Sequence, residues 1–375
     1  MNDDDLVKFS VEARNLPERL RWADGLNISL PTALLSTLSG AGRNDAITTG
    51  RDAMDAAHNL RLHAAYTPRP PASSRLPLSY RRVPGPARRL IAGIIGRYQR
   101  SREHQWSRFP GWPVDLSADF AADLAGHSGI TFAQTPVLVT HDIDSPEGLR
   151  NLVSKFLPVE ESVGARSTNY IVPCGWPLEH RLIEETVRRG HEVGVHGYDH
   201  ANRTAFADTA ERRRRLLGGH CFATRYGAIG YRAPSLLRTA PLIEDLGMFY
   251  QYESSIPTSG GPFPVPNNGC ATARPWRIGS LWEIPLTLPR DGSLRFLGYS
   301  ATEIEGIWRD ISAIISRSGG IVCILTHCEH GFSGNGEMLA AYRRLLEWFA
   351  KDTRFVFRRI ADVVVSLRNS YAKLD

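Results

Sequence analysis

The sequence predicts an α/β fold, a distorted and incompletely closed (β/α) barrel that follows a mixed, partly helical N-terminal extension. Three observations support this prediction. From about residue 134 onward, short apolar runs alternate with segments of helical periodicity. Several of these runs end in histidines and aspartates, and residues 1–130 show no such alternation. Alternating βα units of this length form a parallel sheet, and functional side chains of such sheets lie where the strands end.

The spacing of apolar residues and the positions of helix-ending residues predict the individual elements. The helix over 302–317 places its isoleucines and Trp308 on one stripe, and the helix over 177–190 ends at Gly190, a favourable C-cap residue. Further helices are predicted near 146–155 and over 208–218 and 336–351. Strands are predicted over 136–140, 168–172, 192–195 and 321–326, a further segment lies over 228–232, and a last strand and helix span 354–369.

The N-terminal extension, residues 1–130, is less regular. Helical patterning is weak around 51–65, and the proline- and arginine-rich tract over 67–90 is predicted to run extended across a surface. The tryptophans of 97–114 are expected to be packing anchors. We place the domain boundary near 131, with the barrel over 131–375, and expect the extension to form a lid or wall of the substrate site.

Composition narrows the class of protein. With 375 residues, 42% hydrophobic and 22% charged, the chain has the make-up of a globular enzyme. The net charge of +6 invites a nucleic-acid partner, but the run Arg212–Arg215 has the pattern of a solvated helix face and no nucleic-acid motif accompanies it. The basic tract at 82–103 is either a contact for an anionic substrate or carrier or a solvated surface.

Other features of the sequence bear on the cellular location of the protein. No apolar run reaches the ~18 residues of a membrane span, so no membrane partner is expected. The N-terminus is acidic and unlike a signal peptide, and the five cysteines form no CxxC pair. These features predict reduced thiols and a cytoplasmic location. The oligomeric state is left open.

Three segments at strand ends carry the chemistry: Thr140–Asp144, His196–His200 and Ile324–His327. Together they supply two carboxylates, two histidines four residues apart and a third histidine. Two histidines and a carboxylate form a metal site for zinc or a similar ion, and the second carboxylate and third histidine can move protons. That set of groups suits the splitting of an amide or ester by metal-activated water.

Over about 134–370, these segments resemble the polysaccharide deacetylase family, or NodB-homology domain. The first motif, Thr-His-Asp-Ile-Asp, is a spaced variant of the family's adjacent aspartates. By this resemblance Asp142 is the catalytic base, and Asp144, His196 and His200 bind the metal. The implied ion is Zn²⁺, or another divalent ion such as Co²⁺, Ni²⁺ or Mn²⁺.

The remaining motifs match in part. Arg232-Ala-Pro-Ser235 implies that Arg232 keeps the catalytic aspartate ionised and that the Ser235 N–H holds the oxyanion, although the family usually has an aromatic residue there. Leu325-Thr-His327 makes His327 the general acid. Glu253 replaces an aspartate in the fourth motif, and Trp282 is either a cover for the acyl methyl group or a core residue. The predicted substrate contacts are Ser235, Trp282 and Glu253.

The predicted activity is therefore metal-dependent removal of an N-acyl group, N-acetyl above all, from an amino sugar or small glycoside intermediate. Two alternatives stay open. One is a ring-amide hydrolase of the same superfamily, acting on allantoin or a cyclic imide, some members of which use no metal. The other is a non-catalytic sugar-binding relative, which the departures at Ser235 and Glu253 would favour.

Overall fold

A computed structural model describes residues 6–12, 17–31, 34, 45–63, 66–67, 70, 85–102, 112–126, 130–259 and 269–371. Within these ranges the barrel is built on one mixed sheet, and a separate antiparallel pair belongs to the extension. No helix in the described part of the chain combines the length and the apolar character that crossing a bilayer requires.

The strands of the main sheet confirm the alternating pattern. The strands are β3 (Thr135–Ile143), β4 (Thr168–Ile171), β5 (Glu192–His196), β6 (Gly230–Arg232), β7 (Tyr252–Glu253), β8 (Trp276–Ile278), β9 (Leu281–Glu283), β10 (Val322–His327) and β11 (Phe355–Phe357). Their spatial order is β10-β3-β4-β5-β6-β7-β9-β8, with β11 beside the first half of β3. All neighbours run parallel except β8 and β9.

The sheet curls but is not closed by a strand ladder. Between β9 and β10, the chain passes at Thr287 and Leu288, where the Leu288 N–H donates to the Cys323 carbonyl at 3.2 Å. The Cys323 N–H in turn donates to the Thr287 hydroxyl at 2.7 Å. The predicted distorted, incompletely closed barrel is therefore confirmed.

Helices cover the outside of the sheet. The predicted helices are present, and the one predicted over 208–218 continues to Tyr226 because its buried face continues through Phe222. The helices are α1 (Asp45–His63), α2 (Gly85–Arg100), α3 (Ser117–Leu124), α4 (Pro146–Asn151), α5 (Leu157–Ser162), α6 (His180–Arg188), α7 (Thr209–Tyr226), α8 (Ala240–Leu246), α9 (Asp291–Phe296), α10 (Ala301–Ser318), α11 (Gly336–Lys351) and α12 (Ile360–Tyr371).

The helix predicted near 146–155 is interrupted. A π-helical turn, Leu152–Phe156, joins α4 to α5. Pro158 lies in the first turn of α5 and has no N–H to donate to the turn before it, so the helix loses a normal bond there.

Side chains of α12 fill the inside of the barrel at the end opposite the three motif segments. Buried residues of α12, Val363 and Val364, belong to one cluster with Leu138, Tyr170 and Tyr252 from the strands. The α12 N-terminus is held by Glu192, which accepts the Ala361 N–H at 3.0 Å. A carboxylate at a helix N-terminus is favourable. With this end filled, the carboxyl ends of the strands remain the open end of the barrel.

The extension contributes a second core. The pair β1 (Leu6–Ser10) and β2 (Asn27–Pro31) is antiparallel, and buried residues of β2, α1 and α3 pack with Ala271 of the barrel. Arg274 joins the two parts by a double contact to the Asp123 carboxylate, at 2.7 and 2.8 Å.

One expectation about the extension is wrong. Residues 85–90 of the tract predicted to be extended form the first part of α2. Pro86 lies at the start of this helix, where a missing N–H costs little, and the apolar residues after it repeat at helical spacing. The prolines of 71–84 lie outside the described residues.

Candidate active site

The register of the sheet gathers the predicted residues at one edge. His327, the last residue of β10, lies opposite Asp142 on β3, and His196, the last residue of β5, lies opposite Arg232 on β6. Asp144 follows β3 directly. Because all four strands are parallel, their carboxyl ends place these side chains around one space.

Asp144, His196 and His200 form a compact group. The Asp144 Oδ1 lies 3.4 Å from the Nε2 of each histidine, and one donor atom from each of the three residues falls within 4.8 Å of the others. The His196 Nδ1 donates to the Arg232 carbonyl at 3.1 Å, which leaves its Nε2 deprotonated when the ring is neutral. Two imidazole nitrogens and a carboxylate suit zinc or a similar divalent ion.

The loops that follow β5 and β6 carry backbone strain. His200 and Asn202 have φ of 57° and 61°, and Ser235 and Leu236 have φ of 52° and 57°. Such conformations are unfavourable for residues with a side chain and concentrate at functional sites. Four of the five positive-φ non-glycine residues in the described ranges lie in these two loops.

The two strained loops also touch each other closely. Gly197 has φ of 65°, and a Cβ there would lie 2.4 Å from the Pro234 ring. Only glycine therefore fits between His196 and the Arg-x-Pro segment. This contact brings the loop of His200 and the loop of Ser235 together.

Asp142 is held by Arg232. The Arg232 Nη1 donates to Asp142 Oδ1 at 3.0 Å and to the Thr140 hydroxyl at 2.8 Å. The guanidinium is fully buried, lies over the Tyr170 ring at 4.0 Å and also bonds the Ser254 carbonyl and hydroxyl. Burial alone would raise the pKa of Asp142, but the positive charges of His196 and Arg232 hold it below its usual value. Asp142 is therefore an ionised carboxylate.

His327 is paired with Asp291. Its Nδ1 donates to Asp291 Oδ1 at 2.7 Å, and the other Asp291 oxygen accepts the His327 N–H and the Ser333 hydroxyl at 2.8 and 2.6 Å. Burial opposes protonation, but the Asp291 carboxylate, with Asp144 and Asp142, raises the pKa of His327 to about 10. The imidazole thus carries a proton at neutral pH, as a general acid must.

Sequence reasoning missed two residues. Asp291 opens α9 after Pro289, and an acid at the start of a helix is too common to single out. Glu329 lies two residues beyond His327 and accepts the Asp144 N–H at 3.1 Å and the Ser145 hydroxyl at 2.7 Å. Burial and the neighbouring Asp144 raise the pKa of Glu329 to about 7.

The three residues predicted to contact substrate lie at different depths. Ser235 is on the strained loop, with its hydroxyl 3.2 Å from the Asn202 side chain. Trp282 is 3% exposed and belongs to the interior cluster with Tyr170 and Tyr252. The substrate contacts of Ser235 and Trp282 stay predictions.

Glu253 is not part of the compact group of Asp144, His196 and His200. Its Oε2 accepts the Ser255 N–H at 2.9 Å, and it stands opposite Glu283 on the neighbouring strand. Burial and the charge of Glu253 raise the pKa of Glu283 well above its usual value. Two buried carboxyl groups side by side share one proton more readily than they ionise together. Its predicted contact with substrate stays a prediction.

No family model and no curated protein matches the sequence. Among solved structures, a candidate polysaccharide deacetylase of Mycobacterium smegmatis is similar with a TM-score of 0.52 and 18% identity, over 65% of this chain and 93% of the other. The chain has the fold of polysaccharide deacetylases. The resemblance predicted from the motifs is thus confirmed at the level of the fold.

A second solved structure shares this fold. The Puue allantoinase is similar with a TM-score of 0.50 and 16% identity, over 68% of this chain and 96% of its own. Likeness at this level of sequence identity establishes the fold, and the chemistry depends on the residues of this chain.

Proposed function

We propose that this protein is a metal-dependent hydrolase that removes an N-acyl group, most simply N-acetyl, from an amino sugar or a small glycoside. One observation carries the proposal. The compact group of Asp144, His196 and His200 lies between an ionised carboxylate held by a buried arginine and a protonated histidine held by Asp291. Base, metal ligands and acid are the parts that amide hydrolysis needs.

The surroundings of each residue support its proposed role. A divalent ion held by Asp144, His196 and His200 would supply a Lewis acid that polarises the acyl carbonyl and lowers the pKa of water. Asp142 accepts a proton from the attacking water, and Arg232 keeps that carboxylate ionised and oriented. The Ser235 N–H is the proposed donor to the oxyanion. His327 gives its proton to the leaving amine as the C–N bond breaks, which releases a carboxylic acid and a free amine.

Several features support a compact, polar substrate. The Asp144 side chain is 24% exposed, so the site opens to solvent, whereas His196 and Asp142 are buried. Beside the site, an open cleft of about 710 Å³ is lined by Glu147, Arg295 and His330. Charged and polar walls suit the hydroxyl groups of a sugar. In this proposal the N-terminal extension restricts access as a lid or wall, and Trp282 and Glu253 are held as substrate contacts.

Metal content is the first test. We expect about one zinc or similar ion per wild-type chain by elemental analysis, and loss of that ion in His196→Ala/His200→Ala. The double variant His58→Ala/His180→Ala is the matched control and should bind metal like the wild type. Absence of metal from the wild type after incubation with zinc would contradict the proposal.

A ring-amide hydrolase is the second candidate, because the Puue allantoinase has a TM-score as high as 0.50. The two activities give different products. Incubation of the metal-loaded protein with N-acetylated amino sugars should release acetate and a free amine, detected by proton NMR. Opening of allantoin without acetate release would favour the second candidate.

A further inference from the structure

The helix α2 of the N-terminal extension presents an unusual surface. Five large apolar side chains of this helix are exposed: Leu90 at 67%, Ile91 at 54%, Ile94 at 60%, Ile95 at 43% and Tyr98 at 59%. Exposed apolar residues scattered singly over a surface are ordinary, but a contiguous group marks a contact with another molecule.

These five residues form one stripe. With 100° of rotation per residue, positions 90, 91, 94, 95 and 98 span about 140° of the helix surface. The other large apolar residues that are exposed in the described ranges stand one to an element or its adjoining turn: Val7, Val187, Leu217, Met248 and Val365. The stripe on α2 is therefore a local property and not a general feature of this surface.

The opposite face of α2 is fixed to the barrel, so the stripe cannot turn inward. Gly96 is buried, and a Cβ there would lie 1.7 Å from the Phe296 carbonyl at the end of α9. Arg100 donates to the Gly298 carbonyl at 2.9 Å, lies 4.0 Å over the Tyr299 ring and pairs with Glu303 at 3.3 Å. These contacts hold the helix with its apolar stripe facing outward.

The sequence around the stripe carries only positive charge. Residues 81–102 include seven arginines and no acidic residue, whereas the whole chain carries a net charge of +6. The rest of the chain therefore has a net charge of −1. Arg97 and Arg102 are exposed at the end of the helix that carries Tyr98, and Arg102 lies 5.4 Å from the ring of that tyrosine.

We propose that α2 is an interfacial helix that binds this protein to the surface of a bilayer containing anionic lipids. An apolar stripe bordered by arginines, with an aromatic side chain near its end, is the arrangement by which amphipathic helices lie in the headgroup region. A second copy of the chain is a poorer occupant, because face-to-face helices would bring two sets of arginines together without an acidic partner.

This proposal replaces our expectation from the sequence that the protein has no membrane partner, and it assigns the exposed arginines at the end of α2 to a lipid surface, which is neither of the alternatives left open for the basic tract at 82–103. It does not depend on the proposed hydrolysis. The helix nevertheless lies close to the candidate site. It packs on the end of α9, which begins at Asp291, the partner of His327, roughly 8 Å away along the α9 axis.

Flotation of the full-length protein with lipid vesicles tests the proposal. We expect the wild type to float with vesicles of mixed phosphatidylcholine and phosphatidylglycerol. Ile91→Asp/Ile94→Asp should reduce the partition coefficient by about tenfold or more, because both side chains would enter the apolar part of the interface. Leu217→Asp/Val365→Asp adds the same charges to exposed apolar positions on α7 and α12, and this control should bind like the wild type.

A second variant tests the charge separately and does not alter the apolar stripe. Arg97→Gln/Arg102→Gln should weaken binding to the anionic vesicles by about tenfold, with a smaller difference at high salt. Three results would overturn the proposal: a wild type that does not float, an Ile91→Asp/Ile94→Asp variant that floats normally, or equal loss in the control. A dimeric wild type that becomes monomeric in the isoleucine variant without vesicle binding would assign the stripe to a second copy instead.

Discussion

Two clusters of buried histidines and carboxylates lie on opposite faces of β3. Asp142 points into the open end of the barrel and belongs with Asp144, His196 and His200, which we name the inner cluster. The adjacent His141 points outward to Glu160, which also lies 3.5 Å from the His191 Nδ1, and we name these three residues the outer cluster. The two clusters contain the same kinds of residue, yet only the inner one is suited to bind a ligand.

The difference lies in what the ring nitrogens contact. In the outer cluster, both nitrogens of His141 are engaged, Nδ1 with the Thr326 hydroxyl and Nε2 with Glu160, each at 2.7 Å. Glu160 also accepts the Tyr342 hydroxyl at 2.9 Å. In the inner cluster, His196 binds a backbone carbonyl through Nδ1 and turns its Nε2 toward Asp144. A histidine whose two ring nitrogens are both hydrogen-bonded stabilises the fold, whereas convergent donor atoms create a site.

Loss of the proposed catalytic base, Asp142, gives the largest expected effect. Asp142→Asn should lower kcat/KM on the substrate found in the acetate-release screen by about 10³-fold or more, since an amide cannot accept the proton. The melting temperature should also fall, because the buried Arg232 loses the charge of its partner although the amide oxygen still accepts its hydrogen bond. Steady-state kinetics and thermal unfolding measure the two quantities. Near-normal turnover would show that Asp142 is not the base.

The outer cluster should respond in the opposite way. Glu160→Ala should lower the free energy of unfolding by about 3–5 kcal/mol, because the buried partners of this carboxylate lose their acceptor. Urea unfolding measures this loss. The amount of zinc bound per folded chain, measured by titration calorimetry, should not change. A variant that is stable but binds no metal would show that the two clusters are not separate in function.

Asp291→Asn tests the proton on His327. Loss of the carboxylate lowers the pKa of His327 from its raised value of about 10, so the imidazole loses its proton at lower pH. The alkaline limb of the pH profile of kcat/KM should therefore move to lower pH, with a loss of about 10-fold to 100-fold near neutrality. An unchanged alkaline limb would mean that another group is the acid.

The smallest effect is expected at the carboxyl pair on β7 and β9. The pKa of Glu283 is raised in the folded protein, so the folded state keeps a proton that the unfolded state releases. This group therefore costs stability as pH rises above the ordinary glutamate pKa. Glu283→Gln removes that cost and should raise the melting temperature at pH 8 relative to pH 5 by a few degrees. Equal pH dependence in variant and wild type would contradict the shared proton.

Much of the barrel could be predicted because its signals are local. The helix over 336–351 has the predicted bounds, and the strands that end at His196 and His327 lie within one or two residues of their predicted positions. The helix α2 was missed, since the prolines and arginines before it masked the period of the apolar residues that follow. The π-helical turn before Pro158 was also missed, because it depends on one absent hydrogen bond.

The sequence by itself determined the order of the elements and the identity of the candidate ligands, because apolar periodicity and the positions after strands are properties of short segments. Only the tertiary structure decided which polar side chains converge and which are satisfied. It paired His327 with Asp291 across 36 residues, and Arg232 with Asp142 across 90. It also turned the stripe on α2 outward. Such outcomes depend on the packing of segments far apart in the chain, which no local pattern records.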